Sequence, residues 1–139
     1  MQLDTASEFG ARVARRLREE TVIWLTTVRA DGQPQPSPVW FLWDGAGFLI
    51  YSQPGKPKVR NIGRNPRVAL HFDGNGRGGD IVIFDGEARV APDAPPADQV
   101  PELVEKYRQG IAGLGGTPAS FAREYSVAIR VTPTKVRGF

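Results

Sequence analysis

The amino-acid sequence predicts a mainly β protein, a small antiparallel β-barrel with a few helices. Short β-branched and aromatic runs such as Thr21–Val28 and Phe48–Ser52 read as strands. Asp31-Gly32 and Asp44-Gly45 are strong hairpin signals between such runs. Many short antiparallel strands with few helices favour closure into a barrel, which removes exposed sheet edges. At 139 residues the chain suits one domain with a real core, not two, so residues 1–139 are read as a single domain.

In chain order, Thr5 and Glu8 have the spacing of a capping box, with Thr5 as N-cap. Behind them Ala6, Phe9, Val13 and Leu17 fall on one helical face, while Arg12, Arg15, Arg16 and Arg18 lie elsewhere. Thr21–Val28, a second strand after Gly32 and a third at Phe48–Ser52 predict a meander. Lys56–Arg64 reads as a short helix, with Pro57 near its first turn and Gly63 toward its end. Arg67–Phe72 and Ile81–Val90 are strands joined by the loop 73–80. A Pro-rich connector at 94–97 leads to a helix near Val100–Gln109. Gly110–Gly116 is expected to be a flexible joint, Thr117 to cap a helical turn reaching Arg123, and Tyr125–Phe139 to close the fold as a strand.

Composition narrows the function classes. With no Cys, neither a disulfide framework nor a thiolate metal site is available. His71 is the only histidine and sits mid-strand, so a packed strand residue is the default and neither a metal nor a catalytic role is assigned. No Ser is paired with a His base at a turn, so hydrolase chemistry has no support. The polar, Arg-rich stretch 1–20 lacks the apolar core of a secretory signal, and no apolar run is long enough to span a bilayer; a cytoplasmic protein without membrane partners is expected. The net charge is +3, yet Gly55–Arg67 holds five basic residues and no acid. That concentration at one turn suits a local anion site better than a nucleic-acid groove, where charge would spread along the surface.

Two segments carry the chemistry. In Gln33-Pro-Gln-Pro-Ser-Pro-Val-Trp40 the prolines fall at every second position, so three missing N–H donors lie on one side of a strand. Such a strand pairs normally on its other side only. The open edge is either protection against aggregation or a surface for a flat ligand, with Trp40 beside it. In Ser52-Gln-Pro-Gly-Lys-Pro-Lys-Val-Arg-Asn61 a strand ends at a hydroxyl, turns, and opens a helix flanked by Lys56 and Lys58, where free N–H groups and positive charge favour phosphate. Lys58 and Asn61, three apart, are expected to share a face. Gly74-Asn-Gly-Arg-Gly-Gly79 matches G-x-G-x-x-G, but a β-branched run follows where a dinucleotide fold needs a helix, so it reads as a mobile hairpin. Arg77 at its tip is a candidate to reach a neighbouring subunit's ligand.

Taken in order, Ala30-Asp-Gly-Gln-Pro with Pro38-Val-Trp-Phe41, Tyr51-Ser52, Lys58 with Asn61, Asn65-Pro66 and Gly86-Glu-Ala88 resemble the pyridoxamine-phosphate-oxidase-like family, and its deazaflavin-dependent branch in particular. The resemblance covers roughly residues 20 to 92. It implies a split antiparallel β-barrel of the FMN-binding type, and a homodimer with two cofactor sites at the interface. By the same resemblance Ser37, Pro38, Val39 and Trp40 border the ring system, while Tyr51, Ser52, Lys56, Lys58 and Asn61 belong to the cofactor site, Ser52 and the lysines with Asn61 at the phosphate. FMN-using pyridoxamine oxidases carry Arg and Lys on the second strand and end in an Arg-x-His segment; this chain has Pro-Ser-Pro-Val-Trp and Ile129–Arg137 there, so vitamin B6 oxidation is not expected. The resemblance implies an F420H2-dependent reductase that passes hydride from coenzyme F420 to an unsaturated small-molecule substrate, with no catalytic side chain required because the cofactor supplies the reactive carbon. FMN at the same site is the alternative, and a non-catalytic cofactor-binding protein the rival.

Overall fold

Ser7, not Thr5, starts the first helix. In the computed structural model, which describes residues Met1–Phe139, the Ser7 hydroxyl accepts from the Gly10 N–H at 2.9 Å, and helix α1 runs Glu8–Glu19. Val13 and Leu17 of α1 are fully buried, as their spacing requires. So is Arg16, which the periodicity puts outside the apolar face. Its guanidinium lies over the Phe72 ring and donates to the carbonyls of Asp73 and Asp80, at 2.6 and 2.8 Å. The glycine-rich loop 73–80 is therefore held at both ends by one buried cation, and the Trp24 indole N–H adds a bond to the Asp73 carboxylate.

Seven strands form one antiparallel sheet: β1 (Ile23–Val28), β2 (Pro34–Val39), β3 (Leu42–Trp43), β4 (Phe48–Ser52), β5 (Arg67–His71), β6 (Val82–Val90) and β7 (Val127–Gly138). Their spatial order is β2-β1-β5-β6-β7-β4-β3. The Asp-Gly turns make the hairpins β1–β2 and β3–β4, but these stand at opposite ends of the sheet instead of forming a meander. Residues 40–41 join the two ends, so the sheet curls around the core as a split barrel. β2 pairs with β1 along its whole length and with nothing else, which leaves its proline side as a free edge without donors at 34, 36 and 38.

The curl encloses a core of Val13, Leu17, Ile23, Leu25, Phe41, Phe48, Ile50, Leu70, Phe84 and Ile129, all nearly or fully buried. A second cluster, around Leu49, Tyr51, Leu103, Tyr107, Ile111 and Phe121, forms where the C-terminal helices pack on β4 and β7. These helices are α3 (Pro101–Lys106), α4 (Arg108–Gly113) and α5 (Pro118–Glu124); α2 (Pro57–Arg64) lies earlier, between β4 and β5. The single helix expected near Val100–Gln109 is broken at Tyr107, and Gly110 and Gly113 are helical in α4 instead of belonging to a flexible joint. Thr117 caps α5, with a reciprocal bond between its side chain and Ser120. None of the helices is long and apolar enough to cross a membrane.

Candidate functional site

A concavity of about 370 Å³ opens between β2, β4, the start of α2 and the C-terminal helices. Its lining includes Pro38, Val39 and Trp40 from the Pro-rich strand and its exit, Tyr51, Ser52 and Gln53 from the end of β4, and Lys56 and Lys58 at the start of α2. These segments are far apart in sequence and meet because the two hairpins close on each other across residues 40–41.

One wall is aromatic. Trp40 stacks on Tyr107 with centroids 4.5 Å apart and on Phe121 at 5.6 Å, and Phe121 stacks in turn on Tyr125 at 4.6 Å. Trp40 is held from the rear by the peptide that follows it. The Phe41 N–H donates to the Tyr107 hydroxyl at 2.8 Å, that hydroxyl donates to the Thr21 carbonyl at 2.7 Å, and the Lys106 ammonium donates to the Phe41 carbonyl at 2.8 Å. Burial raises the Tyr107 phenol well above its ordinary range, so it stays a neutral hydrogen-bonding group. Burial also pushes the Lys106 ammonium down to about 8. Gly110 faces the Trp40 ring; a Cβ there would sit 2.9 Å from Cη2.

The other wall is cationic. Neither Lys56 nor Lys58 has a carboxylate partner among the ion pairs of the structure. Burial, and after it the charge of Lys56, lowers the Lys58 ammonium below its ordinary range. An anion beside the two lysines would relieve both effects. Pro57 occupies the first position of α2, and no side chain caps the helix N-terminus. Ser52 is buried and donates its hydroxyl proton to the Gln53 carbonyl at 2.9 Å, which leaves its oxygen as an acceptor only. The Tyr51 hydroxyl turns away to the Pro95 carbonyl at 2.6 Å, so this residue offers the concavity its ring.

Three residues singled out from the sequence lie elsewhere. Ser37 pairs with Leu25 within β1–β2 and does not line the concavity. Asn61 is 2% exposed and turned toward the sheet: its amide donates to Thr27 Oγ1 at 3.0 Å and to Gln35 Oε1 at 2.9 Å, and its carbonyl accepts from Arg64. It does not share the Lys58 side of α2. Arg77, at the tip of the loop 73–80, lines none of the principal concavities. Sequence reasoning missed Leu114, Phe121 and Tyr125, which complete the lining from the C-terminal third. The signal was present in the i, i+4 aromatics Phe121 and Tyr125 behind a capped start at Thr117.

Comparison with known proteins follows the same geometry. The structure superposes on an F420 reductase with a TM-score of 0.68 at 28% identity, over 88% of this chain and 94% of that one. It also superposes on an FAD-binding protein from Mesorhizobium loti with a TM-score of 0.59 at 24% identity, over 91% and 88% of the two chains. In sequence, 58 residues are 34% identical to a pyridoxine/pyridoxamine 5'-phosphate oxidase of Edwardsiella ictaluri, a stretch that is 41% of this chain and only 27% of that enzyme. The family model for pyridoxamine 5'-phosphate oxidase matches residues 9–139, from the first helix through the closing strand that packs it. That match takes in the curled sheet and both walls of the concavity together, and by it the chain belongs to the pyridoxamine 5'-phosphate oxidase family.

Proposed function

We propose that this protein is an oxidoreductase that binds the deazaflavin coenzyme F420 in the concavity and passes hydride to an unsaturated small-molecule acceptor. The observation that carries the proposal is the pairing of two unpartnered lysines with an aromatic wall across one cleft. Lys56 and Lys58 suit a phosphate, and the face formed by Pro38, Val39 and Trp40 suits the edge of a planar ring system. The volume of about 370 Å³ lies within the usual range for cofactor pockets, roughly 300–1,000 Å³. The cofactor supplies the hydride chemistry when bound. The chain's own residues bind, orient and exclude water: the lysines fix the anionic end, Trp40 and Phe121 fix the ring plane, and Tyr107 with Lys106 holds the Phe41 peptide that sets Trp40.

FMN would use the same lysines. The preference for F420 rests on β2, which offers the concavity Pro38 and Val39 where flavin-using oxidases of this family are expected to carry basic side chains. Titration followed by Trp quenching tests this, because Trp40 forms the wall. Tighter binding of F420 than of FMN is expected, and equal or tighter FMN binding would overturn the choice of cofactor. A homodimer with cofactor sites at the interface belongs to the same proposal.

A further inference from the structure

The basic run Lys56–Arg67 reads in sequence as one anion site, yet its side chains serve two concavities. Lys56 and Lys58 line the cleft described above. Pro57, Arg60, Asn61 and Arg64 have the i, i+3, i+4, i+7 spacing of a single helical stripe, and that stripe lines a separate concavity of about 480 Å³. Its opposite side is Arg29, Ala30 and Asp31 of the first hairpin together with Gln35 of β2. α2 thus stands between an aromatic cleft with two lysines and a polar one with three arginines.

The second concavity has an ordered floor and unspent donors. Asn61 is almost fully buried and fixed by bonds to Thr27, Gln35 and Arg64, so the floor does not need a ligand to hold it. Asp31 is the one carboxylate present, and it is already used: it pairs with Arg29 and accepts from the Gln33 N–H. Arg60 donates only to the Gly55 carbonyl and Arg64 only to Asn61 Oδ1; neither forms an ion pair. Each guanidinium keeps most of its five donors free, in the planar fork that matches carboxylate or phosphate. Two like charges one helical turn apart repel, and an anion bridging them removes that repulsion.

We infer that the Arg29–Arg60–Arg64 concavity is a second anion site, which takes a multiply charged carboxylate or phosphate group. That group has two sources: a free anionic metabolite, or the acidic tail of a cofactor whose ring lies on the other side of α2. The second source rests on the proposed function; the site itself does not.

The probes are glutamyl-glutamate dipeptide and inorganic phosphate, titrated at low salt with the arginine Nε–H resonances as readout. Wild type should show saturable shifts at Arg60 and Arg64. Arg60→Gln/Arg64→Gln should bind at least about ten-fold more weakly, the loss expected when charge-assisted bonds are removed. Lys58→Ala and the remote control Arg15→Gln should change the affinity less than about two-fold at a salt concentration where the screening length is roughly 10 Å. Absence of saturable binding, or equal binding by wild type and the double variant, would overturn the proposal. A loss as large in Lys58→Ala would do the same, because the anion would then sit in the first cleft. All variants are first checked for the wild-type melting temperature; as Arg60 and Arg64 are exposed, Arg60→Lys/Arg64→Lys, which keeps charge and loses the fork, gives a second fold-neutral comparison. It should fall between wild type and the Gln pair. Titrating F420 and its shortened form that keeps the phosphate but lacks the glutamate tail then separates the sources. Weaker binding of F420 alone in the Gln pair identifies the cofactor's tail, and an unchanged pair of affinities identifies a free anion. Failure of both deazaflavins to bind wild type would count against the proposed function and leave the dipeptide result standing.

Discussion

Lys58 sits half-buried against the aromatic cleft with a like charge beside it; burial and that charge both lower its ammonium below the ordinary range, and an anion there relieves both. Lys58→Ala is expected to weaken cofactor binding about ten- to a hundred-fold, from roughly 1.5–3 kcal/mol for a charge-assisted bond. Arg15→Ala, on the exposed face of α1 with only a loose pair to Glu19, should leave it unchanged. Fluorescence titration decides between them, and equal affinities would remove Lys58 from the site. Lys106 gives a different signature. Its folded pKa of about 8 lies below the ordinary value of 10.5, chiefly through burial. Between those limits the unfolded chain binds more protons than the folded one, so stability rises with pH there. Denaturant unfolding should show wild type gaining stability from about pH 8 to 10.5 relative to Lys106→Met. A flat difference would mean that the bond to the Phe41 carbonyl and the Phe41 ring offset the burial.

At the scale of elements, local signals were legible where one segment answers to its own periodicity, and they failed where a distant partner decides. Asp31-Gly32 and Asp44-Gly45 specify their hairpins because Gly32 and Gly45 supply the positive φ that such turns need. Nothing local places those hairpins at opposite ends of the sheet; long-range pairing of β4 with β7 and of β1 with β5 does so. Asn61 and Lys58 look like neighbours by spacing, but Thr27 and Gln35 draw the amide under β2. Arg16 appears solvated by pattern, and only the folded loop 73–80 reveals why it is buried. The glycines of 110–116 read as a joint because Gly disfavours helix, whereas Gly110 is needed for space against Trp40. Gly110→Ala should therefore gain up to about 1 kcal/mol of helix propensity and lose about 1–3 kcal/mol to overpacking. The melting temperature should stay level or fall by several degrees, according to how far the overpacking outweighs the propensity gain, while Trp emission shifts and cofactor affinity falls. Unchanged emission and affinity would show that Trp40 is not held in place by this contact.

For the whole molecule, the question is what covers the outer face of the sheet. Helices pack inside the curl and over β4 and β7, but none covers the outer surface of β2, β1 and β5. There Trp24, half-buried and stacked on His71 with centroids 6.4 Å apart, lies opposite the exposed Pro38, and the exposed Pro36 and Pro34 continue along the same face opposite Thr26 and Val28. Proline at alternate positions removes the donors by which another chain would extend the sheet from β2, so edge-to-edge growth is disfavoured. Face-to-face association is not, since it needs apolar area and no ladder. A large, half-buried indole beside Pro38, on a face that carries two further exposed prolines, is the kind of patch that marks an interface. The concavity also opens at this end of the molecule, beside Pro38, so a second copy on that face would stand next to the proposed cofactor site. Light scattering should return about twice the chain mass of 15.2 kDa across the micromolar range. Trp24→Glu should shift that mass toward the monomer, because a buried unpaired carboxylate is costly at an interface. Cofactor affinity should fall in the same variant, although Trp24 does not line the cleft. A monomeric wild type would overturn the interface and with it the shared site. A Trp24→Glu variant that stays dimeric would move the interface to another face.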